Sequence, residues 1–407
     1  ADVQTLLTLA NTHRFPVTPR GGGSGLAGAC LADLGGVVLS TRGLDAIRTI
    51  DTINFIMEVE AGAISQRVRE AASARGLFYP PDPAGMELST IGGNAATDAG
   101  GPACVKYGTT RDYILGLEAV LPDGSLITTG VRTRKGVVGY DLTNLLVGCE
   151  GTLAVITALT LKLLPKPAAT TGVLCTFATM ADAMRAVARV MAEGHLPSAI
   201  EFLDYRCLAL VGELLPFVVP GERPSLLIVE LDGPAAPIEA EMAEVVAVMT
   251  REGATRVLRA RDEAERRQIW QVRRQVSLRI HDHAALYLSE DVVVPLSQIA
   301  TLVDRLAAHE ARHGVEIFAF GHAGDGNIHL NITSQHPDHQ EQMDRVAEEL
   351  LRLVLDLGGT ISGEHGIGLA KRPFLPLELA PGSIELQRRI KALFDPNQIL
   401  NPGKIFP

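Results

Sequence analysis

Two short stretches bring together side chains able to move protons and bind cations. The first runs Phe320-Gly321-His322-Ala323-Gly324-Asp325-Gly326-Asn327-Ile328-His329-Leu330-Asn331. The second runs Ile361-Ser362-Gly363-Glu364-His365-Gly366-Ile367-Gly368. In the first, strand-type residues flank a turn with three glycines. A hairpin-like arrangement would set His322, at the end of one strand, near His329, at the start of the next. Two imidazoles with the Glu364 carboxylate are a competent divalent-metal set, most naturally zinc or manganese, with positions open to substrate. His365 would be left over as a base. The plainer reading, polar turn residues satisfied by backbone, fits any one histidine alone. It fits less well three His and a Glu among glycines in a chain with 11 His.

Three further segments have the composition of a nucleotide cradle. In Arg20-Gly21-Gly22-Gly23-Ser24-Gly25-Leu26, successive glycines permit positive φ and let several N–H groups converge, an anion nest that suits a pyrophosphate. A flexible surface turn is the alternative. The spacing is not the dinucleotide fingerprint Gly-x-Gly-x-x-Gly opening a helix, which disfavours NAD, and no Gly-Lys-Ser/Thr follows, which excludes a P-loop. Pro81-Asp82-Pro83, Ser89-Thr90-Ile91-Gly92-Gly93-Asn94 and Gly100-Gly101 form a second small-residue stretch, with hydrogen-bonding groups but little bulk. The third, Glu150-Gly151 to Ile156, runs a glycine turn into a strand. A guanidinium for an acidic substrate is offered by Arg273. Trp270, Arg273 and Ser277 share a face if residues 270–277 are helical. Arg261, Arg266, Arg267, Arg273, Arg274 and Arg279 read equally as a solvated basic face.

The elements that must position these groups follow from periodicity. Residues 2–12 read as a helix, as do 180–193, 237–251 and 296–313. Strand patterns fall at 36–40, 55–60, 155–163, 172–177, 226–231, 290–294, 315–320 and 328–332. Helices alternating with strands that need not be parallel imply an α+β fold. Leu164-Pro165-Lys166-Pro167 is extended and stiff and marks a boundary. Residues 394–406 read as loop. A helix at the first residues also suggests that a native N-terminal segment precedes this sequence.

Bulk properties narrow the function. At 407 residues the chain is long enough for two or three domains. Its 46% apolar and 21% charged residues fit a soluble globular protein. A formal net charge of -10 speaks against a nucleic-acid partner. No apolar run reaches transmembrane length, although attachment to a membrane surface is compatible with this composition. Cys30, Cys104, Cys149, Cys175 and Cys207 are too scattered for a zinc ribbon or an iron–sulfur cluster. They fit buried, reduced thiols of a cytoplasmic protein.

Taken in order, these segments resemble the flavoproteins of the vanillyl-alcohol oxidase / p-cresol methylhydroxylase superfamily. The D-lactate dehydrogenase and glycolate oxidase flavin-subunit branch is the nearest in pattern, and the resemblance spans essentially the whole chain. It implies an N-terminal FAD-binding α+β domain over 1–165 and a C-terminal α+β cap with a largely antiparallel sheet over 168–380. Residues 381–407 would return to the flavin. It implies that Arg20 through Leu26 hold the pyrophosphate. Pro81, Asp82, Ser89, Thr90, Gly92, Gly93, Asn94, Gly100, Gly101, Glu150, Gly151, Ile156 and Asn401 would line the cofactor. Ser24 stands where covalent members carry a His, so noncovalent FAD is implied. His322, His329 and Glu364 match metal ligands, His365 the proposed base, Arg273 the carboxylate-binding residue and Asn331 a substrate-facing polar residue. The implied reaction is oxidation of a small D-2-hydroxy acid, with hydride passing to flavin N5. Ser289 stands where dicarboxylate-specific members carry Lys, which favours glycolate or D-lactate. With no haem-attachment motif, electrons would leave to an iron–sulfur subunit, an electron-transfer flavoprotein, a quinone or a cytochrome. An ether-lipid (alkylglycerone-phosphate) synthase and a non-catalytic subunit of a glycolate oxidase complex are the competing readings.

Overall fold

The alternating apolar runs become strands of two separate principal sheets in a computed structural model of the chain, which describes all 407 residues. Each sheet belongs to its own compact unit. One unit comprises 1–101, 107–166 and 364–407, the other 102–106 and 167–363.

In the first unit a five-stranded antiparallel sheet runs in the order Ile47–Asp51, Ile56–Glu60, Val155–Lys162, Ile114–Val120, Leu126–Gly130. Met57, Val59, Leu117, Leu159 and Leu161 pack with Val68 and Ala72 of helix Ser65–Ser73 and with Ile91 and Ala95 of helix Ile91–Thr97. Each such buried Val, Leu, Ile or Met side chain contributes about 1.5–3 kcal/mol. Helix Asp2–His13 buries Leu7 and Ala10 in a smaller cluster with Val17, Val120, Val155, Ile399 and Leu400. Strand Val17–Arg20 pairs in parallel with Val37–Ser40 and leads directly into the glycine loop.

The second unit holds a seven-stranded sheet, antiparallel throughout. Its order is Arg256–Arg259, Ala169–Phe177, Ser225–Gly233, Ala199–Leu203, Glu316–His322, Asn327–Ser334, Leu286–Val293. Helix Glu263–His283 sets Ile269, Val272, Val276 and Ile280 against Leu174, Leu203, Ile228, Phe318 and Phe320. Helices Met180–Ala192, Ala235–Arg251, Ile299–His313 and Gln340–Asp356 also pack in this unit.

The structure departs from the sequence reading in several places. The helix expected from 237 starts at Ala235, because Pro237 sits in the first turn, where its missing N–H is no loss. Leu164–Pro165 does not merely end a strand but pairs with Leu77–Phe78. Within 381–407, residues Pro381–Phe394 form a helix. The chain rejoins the first unit at Glu364, not 381, because backbone N–H groups of Leu369 and Ala370 bond Ala27 O, a contact across more than 300 positions. All five cysteines are free thiols, but only Cys149, Cys175 and Cys207 are buried; Cys30 and Cys104 are partly exposed. Burial pushes the Cys175 thiol up to about 12. No helix is long and apolar enough to cross a membrane.

Candidate active site

In the first unit the glycine segments converge on one pocket. Arg20 through Leu26 line it with Ser89, Thr90, Gly92, Gly93, Asn94, Glu150, Gly151 and Ile156, and so do Glu364 and His365. The first two glycine motifs are packed tightly, the loop backbone against the Thr90 side chain and the Leu88 backbone. A Cβ on Gly21 would lie 2.3 Å from Thr90 Oγ1, and one on Gly22 would lie 2.1 Å from Leu88 O. No side chain fits at either position, so the loop lies flat on residues 88–90. Gly25 is different: a Cβ there meets nothing within 4 Å, so its backbone borders open space. Gly23 takes a positive φ of 75°, which the nest requires. This cradle of backbone with little bulk suits a nucleotide cofactor.

Several expected cofactor residues turn out to hold the pocket wall together. Thr90 caps helix Ile91–Thr97, accepting from Gly93 N. Ser89 and Asn94 both hydrogen-bond Ser65 Oγ, at 2.8 Å each. Pro81, Asp82, Gly100, Gly101 and Asn401 do not line the pocket. Pro81 O accepts from Arg69, and a Cβ on Gly101 would lie 2.6 Å from Asp82 O, so these two segments close on each other. The Asn401 Nδ2 group donates to Ala29 O and Glu150 O, tying the C-terminal segment to the loop. Glu150 accepts at 2.8 and 2.7 Å from the N–H groups of Ile367 and Gly368. Its carboxylate thereby fixes the turn that follows His365. Burial raises its pKa against the pull of these donors.

In the second unit a group of polar side chains interrupts a sheet face that is otherwise apolar, the face that carries Leu203, Ile228, Phe318 and Phe320. Antiparallel register places Glu201 beside His322, His322 beside Asn327, Phe320 beside His329, His329 beside Asp291 and Ser289 beside Asn331. Directly paired residues share a face, so all of these point the same way. The hairpin brings the His322 and His329 rings to 5.3 Å between centroids. Asp291 lies 3.9 Å from His329 Nδ1 and accepts at 2.6 Å from Asn327 Nδ2.

Glu201, which the sequence reading passed over, organises this face. Fully buried, it pairs with His322 Nδ1 and accepts from Arg273 Nε at 2.6 Å. Burial alone would raise its pKa, but His322 and Arg273 outweigh burial and hold it below the ordinary carboxylate value. The bond fixes the His322 tautomer, leaving the lone pair on Nε2, an arrangement common in metal-ligating histidines. Arg273 also lies over Phe320, 4.5 Å from the ring centroid. Trp270 reaches a second strand carboxylate, Glu230, at 2.7 Å, whereas Ser277, expected on the same functional face, is exposed. Arg261, Arg267 and Arg274 are exposed, so for them the solvated-face reading holds. Asn331 is fully buried; its Oδ1 accepts from Tyr287 and its Nδ2 has no partner.

Sequence comparison adds the deciding observation. Residues 166–405 match the family "FAD linked oxidases, C-terminal domain", and residues 1–130 match "FAD binding domain". The chain is an FAD-linked oxidase. It is 37% identical to the glycolate oxidase subunit GlcD of Bacillus subtilis over 100% of this chain and 87% of that one. It is 40% identical to D-lactate dehydrogenase of Archaeoglobus fulgidus, over 99% of this chain and 89% of that one. Among solved structures, p-cresol methylhydroxylase with substrate bound superposes with a TM-score of 0.79 at 18% identity, covering 99% of this chain and 86% of the other. That likeness is one of fold. In this FAD-linked oxidase, the match to the FAD binding domain covers the glycine loops of the first unit, and the match to the C-terminal domain covers the strands that carry the polar group.

A signal for Glu201 was present in the sequence. A glutamate inside the apolar run Ala199–Leu203 must be buried, and buried carboxylates are paired. Which cations pair with it was not readable, since Arg273 and His322 lie 72 and 121 positions away.

Proposed function

We propose that this FAD-linked oxidase is a dehydrogenase of a small D-2-hydroxy acid, glycolate or D-lactate in type, which it converts to the 2-oxo acid. The observation that carries this reading is the Arg273 guanidinium. It is held on the Phe320 ring and bonded through Nε to Glu201, on the face that bears His322, His329 and Asn331. A pairing through Nε leaves the terminal amino groups for a carboxylate, the group every 2-hydroxy acid carries. The names of the two relatives support the same substrate class.

In this reading Arg273 orients the acid and the Asn331 amide donates to it, which would give its buried Nδ2 a partner. His365, on the wall of the flavin pocket, takes the hydroxyl proton as the Cα hydrogen departs. Bound FAD supplies the hydride acceptor. His322, His329 and Glu364 are the residues that would hold a divalent cation, zinc or manganese, whose charge would lower the hydroxyl pKa. The imidazole–carboxylate chemistry of this set fits such an ion, and the Glu201 bond to His322 fits a ligand's supporting partner. Ser289, beside Asn331 in the register, offers a hydroxyl rather than a second cation and so favours a monocarboxylate. Electrons then pass to an external acceptor: an iron–sulfur subunit, an electron-transfer flavoprotein, a quinone or a cytochrome.

The test is anaerobic bleaching of the purified yellow protein by glycolate, D-lactate, L-lactate, D-malate and D-2-hydroxyglutarate. Rapid loss of flavin colour is expected with glycolate or D-lactate. His365→Ala should keep its flavin and lose bleaching by at least 100-fold. Bleaching by none of the acids would overturn the substrate class, and full bleaching in His365→Ala would remove that residue as base.

A further inference from the structure

Away from the polar sheet face, the second unit carries another group of ligand-type side chains. Helix Ile299–His313 bears His309 and His313, four residues apart and so on one face. Helix Gln340–Asp356 packs beside it and bears Glu349. His309 Nδ1 lies 2.9 Å and His313 Nε2 3.2 Å from the same atom, Glu349 Oε2. One ligand atom from each of the three residues lies within 4.8 Å of the others. We propose that His309, His313 and Glu349 form a divalent-cation site, selective for zinc, that ties these two helices together.

Distances and chemistry both favour this. Ligands at about 2.0–2.1 Å from a tetrahedral zinc stand about 3.3 Å apart. The spacings of 2.9 and 3.2 Å need to open by only a few tenths of an ångström. Two imidazoles with one carboxylate are a nitrogen-rich set that suits zinc better than magnesium or calcium. The imidazoles are held in place, with side chains 16% and 14% exposed, while Glu349 is 35% exposed and leaves a water-accessible fourth position.

Hydrogen bonding accounts for the cluster less well. Arg312 also reaches Glu349 Oε2, at 3.3 Å, so two imidazoles and a guanidinium converge on one oxygen. Three donors oversubscribe the lone pairs of a single oxygen. A cation would instead take one lone pair from each of three ligands, and Arg312, 63% exposed, is free to swing into water. The site shares no residue with the hydroxy-acid site and does not depend on the reading given there.

The test uses flavin-loaded full-length protein, stripped with a chelator, reloaded with zinc, desalted and analysed for zinc per chain. The wild type should retain one zinc more than the His309→Ala/His313→Ala chain. Zinc should raise its Tm by about 2–4 °C more than it raises that of the double variant. Dye reduction should be the same in both. Glu349→Gln, nearly isosteric, should weaken zinc binding at this site at least tenfold and serves if the double variant does not fold. Equal zinc in wild type and in whichever variant folds would overturn the proposal, as would a loss of zinc that takes the activity with it. Loss of one ion in His322→Ala but none in His313→Ala would sink this site and leave the other metal standing. The reverse pattern would sink the other metal and leave this one.

Discussion

Glu201 is a buried anion whose two partners are Arg273, the guanidinium proposed to meet the substrate, and His322, the imidazole proposed to meet a metal. Its value lies in position rather than net stability, since a buried pair gains little over a well-packed apolar contact. Removing only the anion is costly, because it strands a guanidinium that is 14% exposed. Glu201→Gln is therefore expected to lower unfolding free energy by about 3 kcal/mol while flavin content is kept. Urea denaturation followed by circular dichroism reads this directly, and an unchanged midpoint with unchanged slope would contradict it. Glu150 does comparable work in the other unit. Glu150 lines the first-unit pocket and also gives its carboxylate to the Ile367 and Gly368 amides beside His365.

At the scale of elements, the hairpin Glu316–His322 and Asn327–Ser334 is the unit that makes two histidines neighbours. Its turn depends on Gly326, which adopts φ +84° and whose Cβ, if present, would lie 2.1 Å from Val294 O. Gly326→Ala meets both a left-handed backbone and a backbone oxygen that cannot move aside. A loss of roughly 3 kcal/mol is expected from strain and displacement together. Thermal unfolding would show it, and a Tm within a degree of wild type would rule out this account of the turn. Helix Glu263–His283 is started by Asp262, whose side chain accepts from Glu265 N at 2.9 Å. That cap sets the helix register and so fixes which arginines face the sheet: Arg266 and Arg273 turn inward, Arg267 and Arg274 outward.

For the molecule as a whole, FAD is expected to stabilise the first unit, since the FAD binding domain match covers residues 1–130 and the glycine loop, Ser89, Thr90, Glu364 and His365 line one pocket there. FAD at one hundred times its Kd should add about 2.7 kcal/mol to stability. Differential scanning of flavin-depleted and reconstituted protein should show the rise, and identical transitions would mean that the pocket gains nothing from the cofactor. Reductant should leave the same transition unmoved, because all five cysteines are free.

Much of the chemistry was legible in the residues themselves. Glycine runs specify backbone that must approach something closely, and the His-x-Gly-Asp-Gly-Asn-x-His turn specifies a hairpin, because period-two strands and glycine turns are local properties. The α+β class, eight of the sixteen strands and the Arg273 helix followed from the same local periodicities. Tertiary structure alone decided the partners. The pairing of Glu201 with Arg273 and His322, the use of Glu150 to hold residues 367 and 368, and the rejoining of the first unit at Glu364 are all contacts between distant positions. So are the joining of Asn401 to Ala29 and of Glu349 to two histidines on another helix. Periodicity tells a side chain which face it occupies, but which other face it meets depends on how the sheets and helices pack, and that is not written in any local run of residues.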